Sequence, residues 1–289
     1  MKPRLLLPLV LLAVCFSAGC LEFRRQTLSW RHDPASDTLY LFQDFQGIFG
    51  GDNPTLLTEE ETRQMASVMQ GGRTFFFNNW LTEFDRNRLR QTLQTPKGEV
   101  DPNPAYEAAI RALAETALTN VTVDNAGFYL NADMELSGAQ RVTVRNVSEV
   151  MAALNKMLLF LARAEAGKEE TSEDEKRLLL KFAESGQDTF RLDDNRLEAR
   201  WPVTEEAYRK FKDQESPAAR TFRKAGGSVD YSDGVLILGL GAKDARMVSV
   251  TLPVSEKAYS RNGLSEARRY GVRETFAALE EARAFLQTP

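Results

Sequence analysis

Apolar and polar positions along this chain alternate between a two-residue period and a three-to-four-residue period, and the switches divide it into hairpins and helices. Residues 27–31 and 38–42 are rich in β-favouring side chains and flank Asp33-Pro34-Ala35-Ser36-Asp37, a run of turn formers. That pattern predicts a β-hairpin over residues 27–45. Thr58-Glu59-Glu60-Glu61 follows. A threonine hydroxyl can accept the third amide of a helix while the glutamate three places on reaches back, so this is a capping box opening a helix that ends near Gln70. Gly71 is a natural stop there. Residues 74–77 read as a buried strand, Asn78-Asn79 as a break, and residues 80–92 as a helix. Residues 96–104 form a loop whose last residue, Pro104, suits the first turn of a helix reaching about Leu118.

From Asn120 onward hairpins and capped helices alternate. Turns are predicted at Asn125-Ala126-Gly127 and near Ser137-Gly138. Ser148 is expected to cap a helix that carries Leu154, Met157, Leu158 and Leu161 at packing spacings. Ser172-Glu173-Asp174-Glu175 is a second capping box, for a helix ending near Gly186. Asp193-Asp194-Asn195 and Ser232-Asp233-Gly234 mark two further hairpins. A helix over residues 217–225, a strand over 247–251 and a final helix over 272–286 complete the pattern. Trp201-Pro202-Val203-Thr204-Glu205-Glu206-Ala207-Tyr208 resembles Leu252-Pro253-Val254-Ser255-Glu256-Lys257-Ala258-Tyr259, and Val147-Ser148-Glu149 is a fainter copy. An internal duplication would produce this match. So would convergence, because every strand-to-helix junction rewards a hydroxyl cap followed by acidic residues.

Separate hairpins joined to capped helices predict an α+β fold, with antiparallel strands in one or two sheets and helices packed on one face. Two lobes are expected, residues 27–95 and residues 104–289.

The first twenty residues follow a different pattern. Lys2 and Arg4 precede an apolar run over residues 5–16, and Ser17-Ala18-Gly19-Cys20 follows. This is the layout of an export signal, here residues 1–19. The run is shorter than the roughly 20 apolar residues that cross a bilayer. Ser17-Ala18-Gly19-Cys20 resembles the lipobox of bacterial lipoproteins, with Ser17 where the usual leucine stands. The resemblance implies cleavage before Cys20, acylation of Cys20 and attachment to membrane lipid in the cell envelope. Leu21 stands where an aspartate would favour the inner membrane, which implies the outer membrane if the cell has two. Residues 20–26 are then the lipidated N-terminus and a short tether. Ordinary signal cleavage is the competing reading, and it would leave Cys20 as a free thiol.

Composition narrows the chemistry. The formal net charge is -4, and removal of Lys2 and Arg4 with residues 1–19 takes it to about -6, which argues against nucleic-acid binding. Cys15 leaves with the signal and acylation consumes Cys20, so no internal disulfide is expected. With His32 the sole histidine, a zinc site is not expected. A calcium or magnesium site built from Asp, Asn and carbonyl oxygens stays open, yet no twelve-residue acidic loop of the needed pattern is present, and no metal or cofactor site is assigned. His32, beside the first turn, would need a nucleophile and an orienting carboxylate to act in catalysis. Asp44 and Asp52 could pair as carboxylates, although strand-edge and loop roles explain both. The glycines of residues 47–54 lack the lysine that a phosphate loop requires. Phe75, Phe76, Phe77 and Trp80 form the densest aromatic cluster, read as core. No catalytic residue is assigned. Three functional classes remain: a non-catalytic envelope lipoprotein that binds or supports an envelope protein, a carboxylate-dependent hydrolase, and a carrier of a small apolar ligand or lipid.

Overall fold

The computed structural model describes residues 21–50, 58–69, 72–76, 82–169, 171–213, 217–253, 268, 271–273 and 276–287. Cys20, Asp52, Phe77, Trp80 and Ser255 lie outside the described residues. The protein has a mixed α+β fold built on antiparallel sheets.

The strands are β1 (Leu21–Asp33), β2 (Thr38–Gly50), β3 (Arg73–Phe76), β4 (Thr82–Asp85), β5 (Val121–Leu130), β6 (Leu136–Val144), β7 (Phe190–Asp193), β8 (Arg196–Pro202), β9 (Ser228–Ser232), β10 (Val235–Leu240), β11 (Val248–Pro253) and β12 (Val272–Arg273). The helices are α1 (Glu59–Met69), α2 (Arg86–Gln94), α3 (Pro104–Asn120), α4 (Val147–Ala166), α5 (Glu173–Ser185), α6 (Glu205–Asp213), α7 (Pro217–Lys224) and α8 (Ala278–Gln287).

The main sheet has six strands in the order β11-β1-β2-β6-β5-β12. All its pairings are antiparallel except the short β12–β5 contact. A second sheet, β7-β8-β10-β9, is antiparallel throughout. The expected boundary between residues 95 and 104 cuts through the main sheet, because β2 pairs with β6 and β1 with β11. Buried strand edges need backbone partners, and here the partners come from the far half of the chain. Residues 21–26, expected as tether, are the first half of β1.

Alternating side chains send the two faces of the main sheet to different neighbours. Leu28, Trp30, Leu41, Val142 and Val250 share one core cluster with Ala117 of α3, Val147 of α4 and Leu240 of the second sheet. Phe42 and Ala139 point the other way, against Ala282 of α8. The final helix thus covers the second face. Asn195, in the β7–β8 turn, joins the two sheets. Its backbone carbonyl accepts from Trp30 Nε1 at 3.1 Å, and its side chain accepts from the His32 N–H at 2.6 Å. Its amide nitrogen donates to the Ala245 carbonyl at 2.7 Å.

The apolar core is interrupted by a buried polar row. Gln26, Gln43 and Gln140 are each at most 1% exposed. Gln26 Nε2 donates to Gln43 Oε1 at 2.8 Å, and Gln43 Nε2 donates to Thr74 Oγ1 at 2.8 Å. Gln140 Nε2 donates to Asn125 Oδ1 at 3.0 Å and to the Arg73 carbonyl at 3.1 Å. Burying amides costs several kcal/mol unless partners are supplied, so this row holds β3 to the sheet by necessity.

Three local expectations change. Residues 82–85 form β4 instead of continuing a helix; they pair with β3, and Asp85 caps α2 by accepting from the Asn87 and Arg88 amides at 2.9 and 3.1 Å. Asn125-Ala126-Gly127 is a bulge inside a continuous β5, with Gly127 at φ +114°. The turn comes at residues 131–135 instead. Gly138 likewise lies within β6, where an added Cβ would meet the Phe128 ring at 3.1 Å. Last, α8 starts only at Ala278, because residues 272–273 are extended against β5.

The best-matching junction sequences sit in different sheets. Trp201-Pro202 closes β8 of the second sheet and is followed by α6, whose Ala207 amide donates to the Thr204 hydroxyl at 3.1 Å. Leu252-Pro253 closes β11 at an edge of the main sheet, and the residues after it lie outside the described residues.

Candidate functional site

His32, Asp37 and Ser148 converge where the β1–β2 turn meets the start of α4. His32 Nε2 lies 3.9 Å from Asp37 Oδ1. Ser148 donates its hydroxyl to Asp37 Oδ2 at 2.5 Å and its amide to the same carboxylate at 3.3 Å. The carboxylate therefore sits between hydroxyl and imidazole. Nucleophilic catalysis needs the imidazole in the middle, where it can take the hydroxyl proton. Neither ring nitrogen of His32 has a hydrogen-bond partner among the described residues. What the Asp37 carboxylate does is cap a helix from a distance. The N-cap of α4 is Asn146, at φ +45° and without a side-chain cap bond, so Asp37 supplies the missing acceptor. Ser148 is inside the helix, not its cap as expected.

Asp44 is 4% exposed on the second face of the main sheet. Tyr129 Oη donates to its Oδ1 at 2.5 Å and Gln46 Nε2 to its Oδ2 at 2.7 Å. Burial pushes the Asp44 carboxyl above its usual range, against the lowering effect of those two bonds. Burial raises Tyr129 as well, reinforced by the Asp44 charge. The Tyr129 ring packs on Phe276 with centroids 4.5 Å apart. Sequence reading singled out Asp44 but missed Tyr129. The bulge in β5 hides it: Val121 and Val123 point into the main core, and an unbroken alternation would send Tyr129 there too.

Beyond Phe276 a groove of about 1050 Å³ opens between the β5–β6 turn and α8. Leu130, Ala132, Met134 and Phe276 supply its apolar wall, and Arg273 and Glu281 its charged one. Arg273 and Arg141 both pair with Glu281, at 3.3 and 2.6 Å.

The groove lies at the end of the sheet that carries Leu21. Leu21 is 7% exposed and its N–H donates to Gln64 Oε1 of α1 at 2.9 Å. Arg24 pairs with Glu135 across β2, over Gly47. Phe75 and Phe76 lie in β3, while their partners in the expected aromatic cluster fall outside the described residues. Among the described residues no group of three or more His, Cys, Asp or Glu could hold a metal ion, and no helix is long and apolar enough to cross a membrane.

Comparisons with protein-family models, with curated proteins and with solved structures return no match for this chain.

Proposed function

We propose that this chain is the precursor of a bacterial envelope lipoprotein, anchored through acylated Cys20, with a binding or supporting role instead of a catalytic one. Its membrane is the outer one where the cell has two. The observation that carries the reading is at Leu21. The folded sheet includes the residue directly after Cys20, and the buried Leu21 N–H bonds to Gln64 as an amide. Cleavage before Cys20 preserves that amide. Cleavage one residue later would place a charged amine in the same buried position, at a cost of several kcal/mol. The fold thus disfavours a cut after Cys20 and is compatible with the cut that the lipobox-like sequence implies.

A non-catalytic role is supported by the saturation of the candidate groups. Both oxygens of Asp44 are occupied by donors, and the Ser148 hydroxyl is spent on Asp37. The groove beside Phe276 favours a second reading, a carrier of a lipid or small apolar molecule, which native mass spectrometry of protein extracted from membranes would reveal as a retained adduct.

Acyl labelling, intact mass and detergent-phase partition test the main reading. Wild-type protein should carry acyl mass on Cys20 and enter the detergent phase, and Cys20→Ala should lose both. A mature protein with a free Cys20 thiol would sink the claim.

A further inference from the structure

We propose that Met134, at the tip of the β5–β6 turn, inserts into the lipid surface beside the anchor, so that the protein touches the membrane at two points. This rests on the acylation of Cys20.

The strand register places the two points at the same level. Leu21 pairs with Gly50 of β2, and five residues back along β2 Phe45 pairs with Gly138 of β6. The residue five places before Gly138 is Asp133, next to Met134. Leu21 and the tip of the turn therefore stand at one end of the sheet. They are separated sideways by the β1-to-β6 distance, about 10 Å for two strand spacings. The Arg24–Glu135 pair ties the strand that leads from the anchor to the base of the turn.

The turn is held rigidly. Asn131 Oδ1 accepts from the Asp133 and Glu135 amides at 3.0 and 2.8 Å, and the Met134 amide donates to the Asn131 carbonyl at 2.9 Å. At its tip Met134 is 60% exposed, the most exposed large apolar side chain among the described residues, at φ +59°. That backbone conformation suits glycine or asparagine, so local conformation does not explain a methionine there. Leu279, 52% exposed, lies in the first turn of α8, the helix that forms the other side of the same groove. An unbranched apolar side chain beside a lipid-linked residue lowers its free energy by entering the interface.

Charge does not drive the contact. Arg24 is paired with Glu135, and the tip itself carries the acidic Asp133. Association through Met134 is therefore expected on zwitterionic lipid and at high salt.

The test uses the acylated full-length protein in phosphatidylcholine vesicles. With Cys15 removed with the signal and Cys20 acylated, Met134→Cys introduces a single free thiol, as does Ala35→Cys in the exposed turn at the opposite end of the sheet. Each variant is labelled with an environment-sensitive fluorophore, and mass spectrometry verifies acylation. The expected result is quenching of the label at position 134, but not at 35, by nitroxide lipid. Aqueous iodide should quench position 134 at least roughly threefold less than position 35, a difference that detergent-free Cys20→Ala backgrounds abolish. Equal iodide access at both positions in acylated, vesicle-bound protein would overturn the second contact and leave the anchor standing. Absence of acyl mass on Cys20 would overturn both.

Discussion

Arg24 of β1 and Glu135, at the foot of the β5–β6 turn, form an ion pair across β2, because Gly47 of β2 has no side chain to block the path. A Cβ added at Gly47 would sit 3.0 Å from Arg24 Cδ and 3.0 Å from Glu135 Oε2. Gly47 also holds φ +68°, where other residues are strained. Gly47→Ala is therefore expected to destabilise the fold by about 1–3 kcal/mol, from strain and displacement of the pair together. Glu135→Gln should cost less, about 1 kcal/mol or under, since both partners are partly exposed. Urea unfolding midpoints of the two variants check the order.

The buried Asp44 makes pH a probe of the second sheet face. Burial raises its carboxyl above the ordinary aspartate value of 3.8. A raised carboxyl favours the protonated form in the folded state, so the stability it contributes is present below about 3.8 and is lost as pH rises through the folded value. Asp33, Glu107, Asp193 and Glu198 are shifted down and work in the opposite direction. The comparison must therefore be between variants. The stability of wild type relative to Asp44→Asn should fall as pH rises from 4 towards neutrality. A flat difference across that window would remove the assignment.

Tyr129→Phe takes away the donor to Asp44 Oδ1 and leaves a buried acceptor unpaired. The expected loss is about 1–3 kcal/mol at neutral pH. It should shrink in acid, where the carboxyl is protonated. Thermal unfolding at two pH values checks both halves.

The polar row predicts an unequal response to similar substitutions. Gln43→Leu preserves size but removes the acceptor that Gln26 Nε2 uses and the donor to Thr74. Each buried hydrogen bond lost to a charge-free polar partner costs about 1–3 kcal/mol, so the variant should lose more than an ordinary core replacement. Hydrogen exchange should report the loss first in β3.

Asp37→Ala should cost about 1 kcal/mol, the price of a helix cap, even though Asp37 lies 111 positions from Ser148. Exchange protection should fall in the first turn of α4 and hold in its last.

Local elements were legible because their causes are local. The turn residues between β1 and β2, the capping boxes at Thr58 and Ser172, and the Asp233-Gly234 turn act over three or four positions, and each sits where it was expected. Sheet order was not legible, because the β1–β11 pairing depends on residues from opposite ends of the chain. The candidate site was half legible for a related reason. Asp44 stands out by chemistry, whereas Tyr129 becomes its partner only through the one-residue shift at Gly127. Asp37 could be read as a turn former. Its second task, as a cap for α4, becomes visible only once the turn and the helix are side by side.

The place of β1 in the sheet bears on the order of assembly. Thr27 meets Thr251 across a separation of 224 positions. In any delivery that starts from the N-terminus, β1 can pair with β2 almost at once, yet its other edge stays open until residues 248–253 arrive. Pairings of such long range form slowly. The strand nearest Cys20 is begun first and completed only when residues 248–253 emerge, so until then its free edge is a surface in need of a chaperone's cover.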